Sequence, residues 1–97
     1  MTRFVLSAAA RRDLLAIADH GRQTWGNAQA LAYAMALESR LVLLAARPAL
    51  GRQRPELPDF IRSFAAESHV IFYTETDSGI FVVRVLHRRQ DAGRHLG

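Results

Sequence analysis

The segment Ile80–Leu86, IFVVRVL, constrains this chain more than any other stretch. Six of its seven residues are apolar and three are valine, and β-branched and aromatic side chains suit a pleated strand. Ile80, Val82 and Leu86 fall on one parity, and Phe81, Val83 and Val85 on the other. A strand with one wet face alternates, so this one is expected to be central in its sheet or covered on both faces. Arg84 interrupts the run. Directly afterwards the chain turns polar, with His87, Arg88, Arg89, Asp91, Arg94 and His95 inside nine positions. A buried strand that ends in a cationic, histidine-bearing tail is the principal functional clue.

Such a strand needs neighbours and a covering layer, and the upstream sequence supplies both. Thr2–Leu6 reads as a short first strand with Phe4 and Leu6 on one side, and Ser7 is placed to cap a following helix. Ala8–Thr24 is that helix, its apolar stripe formed by Ala10, Leu14, Ile17, Ala18 and Gly21. Trp25-Gly26-Asn27 breaks it, with Asn27 positioned to cap the next helix and Trp25 expected to pack onto the core. Ala28–Ala46 carries Ala30, Ala34, Leu37, Leu41 and Leu44 at spacings of four, three, four and three, a helical period, and Pro48 ends it. Pro48–Asp59, with three prolines and a glycine, is a structured loop. Phe60–Ala65, His69–Thr76 and Ile80–His87 read as strands, the first with Phe60, Arg62 and Phe64 on one face, and Asp77-Ser78-Gly79 is the last hairpin turn. The order β-α-α-β-β-β over a single domain, residues 1–97, predicts an α+β fold: a helical hairpin packed on a small antiparallel sheet. The first strand is expected beside the last, and the core to include Phe4, Leu37, Leu41, Phe72 and Val83.

Composition narrows the chemistry. Thirteen basic residues against nine acidic give a net charge of +4, too moderate to argue for sequence-specific nucleic-acid binding. All thirteen are arginine, whose guanidinium favours planar, bidentate contact with carboxylate or phosphate. Without cysteine there is no thiol nucleophile or thiolate metal site, and the four histidines form no His-x-x-x-His pair. Neither HEXXH, GxSxG nor a glycine-rich phosphate loop occurs, so neither a metal nor another cofactor is expected. No apolar run approaches the roughly 20 residues that span a bilayer, and the apolar N-terminal stretch is short for a secretory signal. A cytoplasmic protein without membrane association is expected.

Arg62 and Arg84 each share parity with apolar neighbours, and a charge so placed must find a partner or reach solvent. Glu67, Glu75 and Asp91 are the candidate carboxylates. His87 beside Arg89 could supply an acid–base group next to phosphate-binding cations. On the helices, Leu15, Leu31, Met35 and Val42 widen the apolar stripe beyond what a core requires, which suits a partner laying an amphipathic helix across them.

The segments LSAAARRDLLAI, WGNAQALAYAMAL, RPALGRQRPEL, RSFAAESHVIFY and VVRVLHRRQDAGRHL follow one another as in ParE toxins of the RelE/ParE superfamily, which the chain resembles from about Phe4 to Leu96. Its most specific part is R-x-L-H-x-R-x-D-x-x-R-H-L, on Arg84, Leu86, His87, Arg89, Asp91, Arg94, His95 and Leu96. The resemblance implies a toxin of a type II toxin–antitoxin system that inhibits DNA gyrase by binding, in a hetero-oligomer with a ParD-like antitoxin. Arg84, His87, Arg89 and Asp91 are then the expected target contacts, and Leu15, Leu31, Met35, Val42 and Arg88 the antitoxin contacts, the arginines meeting an acidic partner. RelE-type relatives instead cleave messenger RNA on the ribosome. The lysine and C-terminal tyrosine of one such nuclease set are missing here. Arg62, Arg84 and His87, with Glu56 from the loop, partly resemble the other.

Overall fold

A computed structural model describes residues 3–90 and 92–96. Strand β1, Arg3–Leu6, leads into helices α1, Ala8–Trp25, and α2, Asn27–Ala46. A 3-10 turn over Pro48–Leu50 precedes strands β2 (Arg52–Gln53), β3 (Arg62–Ala66), β4 (His69–Thr76) and β5 (Gly79–His87), and helix α3, Ala92–Leu96, follows. The strands form one sheet in the order β1-β5-β4-β3-β2, with α1 and α2 packed on it. The fold is α+β, and the expected β-α-α-β-β-β order holds with the two-residue β2 and the short α3 added. Three of the four strand pairings are antiparallel. The exception corrects the expected antiparallel sheet: β1 runs parallel to β5, Phe4 opposite Ile80 and Leu6 opposite Val82. A hairpin turn dictates direction, but no turn joins these two strands. Gly79 permits their approach, since a Cβ there would lie 1.8 Å from the Arg3 carbonyl oxygen.

The helix signals translate closely into structure. Ser7 accepts from the Ala10 amide at 2.9 Å as the N-cap of α1 and donates to the Val83 carbonyl at 2.7 Å, tying the helix start to β5. Gly26 alone, at φ 92°, separates the two helices, and no side chain caps α2. Asn27 is therefore the first residue of α2 rather than its cap. The heptad-like spacing in α2 buries Leu37, Leu41 and Leu44 as expected, each leucine contributing roughly 2 kcal/mol of apolar burial.

β5 departs from strict alternation. Tyr73 pairs with Val82, but Phe72 pairs with Arg84, so Val83 is an extra residue in β5, a bulge that shifts the register of everything after it. Ile80 and Val82 face the helices, and beyond the bulge Val85 does so too, in a cluster with Leu37, Leu44 and Tyr73. Leu86 lies instead in a second cluster, with Phe72, Leu57, Ile61 and Ala92. The inferred grouping of Leu86 with Ile80 and Val82 thus fails because one inserted residue reverses parity. Val83 itself is half-buried, and Phe72 belongs to the second cluster. Leu57 and Ile61 from the proline-rich loop and Ala92 from α3 complete that cluster, so β5 is interior, and its second half is covered on both sides. β3 begins at Arg62, which leaves Phe60 in a turn and 69% exposed, while Ile61 turns inward.

The loop after α2 is held by one phenol. Fully buried Tyr73 donates to the Pro48 carbonyl at 2.6 Å and accepts from the Gly51 amide at 2.7 Å. Burial pushes the Tyr73 phenol pKa up. Arg62, directly across from Tyr73, donates to the Gly51 carbonyl at 2.7 Å. Tyr73→Phe removes the hydroxyl and leaves two backbone groups without their partner. It is expected to cost about 1–3 kcal/mol in urea unfolding, with the helical signal in circular dichroism unchanged in the native baseline.

Candidate functional site

Arg84 was expected to find Glu67, Glu75 or Asp91. It meets Asp13 of α1 instead: Nε donates to Oδ2 at 2.7 Å and Nη2 to Oδ1 at 2.8 Å. Oδ2 also accepts the Val85 amide at 2.9 Å. The side chains are only 22% and 13% exposed, and these hydrogen bonds to Asp13 raise the guanidinium pKa further. Arg84 is therefore the clamp between α1 and β5. Nothing in the local sequence marks Asp13 as its partner, because the two lie far apart in the chain and only the parallel β1–β5 pairing brings α1 alongside.

Beyond Arg84 the bulged register sets His69 directly opposite His87 across the β4–β5 pair. Their rings meet edge to face with centroids 5.3 Å apart. His69 Nδ1 lies 2.7 Å from the Tyr33 hydroxyl of α2, which also accepts the Ser68 amide at 3.0 Å. Tyr33 thus links the start of β4, through both the Ser68 amide and the His69 ring, to α2. The His69 pKa is lowered, first by burial and then by His87, with His20 of α1 adding to the effect and Asp13 opposing it. His87 Nδ1 accepts the Arg89 amide at 3.2 Å, and the His87 amide donates to Gln90 Oε1 at 2.7 Å. His87 thus ends β5 by folding the tail into a tight turn. Sequence reading passed over His69 as a strand-start residue: an unbulged hairpin would place it opposite Leu86.

The residues of the alternative nuclease set do not converge. Arg62 is turned to Gly51, Arg84 to Asp13 and His87 to His69, while Glu56 pairs with Arg54 at 2.9 Å. Arg88 and Arg89 follow on the turn, exposed and without an ion pair among the described residues. Asp91, the other expected target contact, lies outside the described residues. No cluster of potential metal ligands occurs among the described residues.

The helical layer presents a different surface. Leu15, Leu31, Met35 and Val42 are each more than half exposed, and the three on α2 recur near one face of a helix whose other face is already buried. Between the helices and the sheet lies a groove of about 770 Å³, its walls including Phe4, Leu14, Ile17, Leu37, Tyr33 and His69. Trp25 stands at this groove, 55% exposed and edge-on to His20. It does not pack onto the core as expected, because Gly26 turns the chain immediately beyond it and leaves the indole at the tip of the hairpin.

The family model described as the ParE toxin of the type II toxin–antitoxin system parDE matches residues 4–92. The chain belongs to the ParE toxin family. It is 41% identical over 96 residues to Toxin ParE1 of Mycobacterium tuberculosis, a span covering 98% of each chain. Toxin ParE1 of Caulobacter vibrioides is 35% identical over the full length of both, and Toxin ParE of Escherichia coli 34% over 92 residues, 94% of this chain and 89% of that one. Among solved structures, a chromosomal ParDE system from P. aeruginosa shares the fold, with a TM-score of 0.75 at 21% identity, covering 90% of this chain and 96% of that one.

Two outcomes test the geometry of this ParE chain. Asp13→Ala leaves a largely buried guanidinium and the Val85 amide without an acceptor, and should lower unfolding free energy by about 2–4 kcal/mol. His69 has its folded pKa below the ordinary 6.5. Its contribution is thus fully present above that value and is lost as pH falls through the folded pKa. Unfolding midpoints should drop between neutral and mildly acidic pH, and His69→Gln should flatten that dependence.

Proposed function

We propose that this ParE-family chain is a toxin that inhibits DNA gyrase by binding it, without catalysing a reaction on nucleic acid. A ParD-like antitoxin neutralises it. Family membership over residues 4–92 supports the toxin role and implies the antitoxin partner. The observation that favours binding over cleavage is the employment of the nuclease-like residues. Arg62, Arg84 and His87 are each engaged by a different neighbour, and no described carboxylate contacts His87. Exposed Arg88 and Arg89, on a turn braced by the His87–Gln90 hydrogen bonds, and exposed Arg94 on α3 are cations of the tail available for a target.

The antitoxin is expected on the helices. α2 is apolar on both its inner and outer faces, and a monomer has no use for exposed Leu31 and Met35. A partner segment that folds as an amphipathic helix against this stripe fits its shape and apolar character.

Truncation before His87 is a poor test of the tail, because it strips Ala92 and Leu96 from the cluster around Phe72. Arg88→Glu with Arg89→Glu keeps that cluster. Induced alone in a bacterium, the parent chain should stop DNA synthesis before protein synthesis and block supercoiling by purified gyrase. The double variant should do neither. Early arrest of translation with cleaved messenger RNA would replace this reading with the ribonuclease one. Leu31→Glu or Met35→Glu, in a non-toxic background with the fold checked by circular dichroism, should weaken the antitoxin complex by about 1–3 kcal/mol.

A further inference from the structure

A second groove, of about 370 Å³, opens on the face of the sheet opposite α1 and α2. Its walls carry three guanidinium-bearing residues from separate parts of the chain: Arg52 on β2, Arg54 on the loop and Arg88 after β5. Arg54 lies over the Phe72 ring, 5.8 Å from its centroid, and pairs with Glu56. Arg52 and Arg88 have no ion pair among the described residues. Three cations therefore face one carboxylate. Ser63, opposite Arg52 across the β2–β3 pair, also lines the groove. It is 6% exposed, the one buried polar residue among those described, and its hydroxyl has no hydrogen-bond partner within them. No buried side-chain oxygen or nitrogen among the described residues lacks a partner, so this hydroxyl is open to the groove, where solvent or a ligand reaches it.

We propose that this groove binds a phosphate group, carried by a nucleotide or by a nucleic-acid backbone. A phosphate offers three or more acceptor oxygens, which forked guanidinium donors engage in pairs. The Ser63 hydroxyl supplies a single further donor at the floor. A peptide carboxylate, with two oxygens and one charge, would leave at least one of these groups unused. Such a site reads charge and oxygen geometry with no base contact, in keeping with the expectation of no sequence-specific nucleic-acid recognition. It shares Arg88 with the proposed target contact, but its test reads phosphate binding by the isolated chain, so either reading can fail without the other.

The test uses the purified full chain, titrated with inorganic phosphate, adenosine monophosphate and a fluorescent 12-nucleotide single strand. Backbone amide spectra locate the contact. Amide shifts at Arg52, Ser63, Val70 and Arg88 are expected with at least one of these probes. Arg52→Ala with Arg88→Ala should lower affinity by about tenfold or more, and Ser63→Ala by about threefold. Arg11→Ala with Arg12→Ala removes the same charge from α1 and should leave affinity nearly unchanged. A strand that binds far more tightly than the mononucleotide, with steep salt dependence, identifies a backbone phosphate; similar affinities identify a free phosphate ester. The proposal is overturned if no probe binds at low salt, if shifts appear only elsewhere, if the two double variants lose affinity equally, or if an acidic peptide binds the groove more tightly than any phosphate.

Discussion

One carboxylate decides how the two layers of this protein meet. β1 stops at Leu6, opposite Val82, and from there no described strand lies along the outer edge of β5. The start of α1 takes over that edge. The Ser7 amide donates to the Val82 carbonyl, the Ser7 hydroxyl to the Val83 carbonyl, and Asp13 receives the Val85 amide while holding Arg84 in a fork. An open edge is a template for unwanted pairing, and here side chains of a helix close it. The cost of desolvating Asp13 and Arg84 is offset only because both oxygens of the carboxylate are used. The same contacts anchor the α1–α2 hairpin over the sheet.

The bulge at Val83 has an equally wide reach. It gives β5 a helix-facing first half and a second half in which adjacent residues Val85 and Leu86 serve opposite cores. It also brings His69 and His87 into register and delivers Arg88 to the far side of the sheet. Without that single residue the histidine pair, the second core and the arginine-walled groove would not coexist.

The elements were legible because they follow from local physics. The spacing of Ala30, Leu37, Leu41 and Leu44 buried those residues, Ser7 capped α1, and the two apolar parities of Ile80–Leu86 marked an interior strand. What escaped was non-local. The partnership of Asp13 with Arg84, the parallel course of β1 and the reversal at Val83 depend on contacts between distant parts of the chain, and no period or motif encodes them. Two-residue β2 is too short to carry a pattern. Phe60 looked like a strand residue because Arg62 and Phe64 share its parity, yet Ile61, beside it, is the one that finds a core. The partners of the C-terminal residues were equally invisible: Arg84 meets Asp13 on α1, and His87 meets His69 on β4.

The parallel pairing of the first and the last strand sets the order in which this protein can be made. Chains leave the ribosome N-terminus first, so β1, α1 and α2 emerge before the strand they dock on exists. Ser7 must wait for Val83, 76 residues later, to close its second hydrogen bond. Contacts of such long sequence separation slow folding. During that interval the helical hairpin, apolar on both faces of α2, stands without its sheet. A newly made toxin of this architecture therefore passes through a phase in which its helical surface is available to another protein while its arginine-bearing end is still being synthesised.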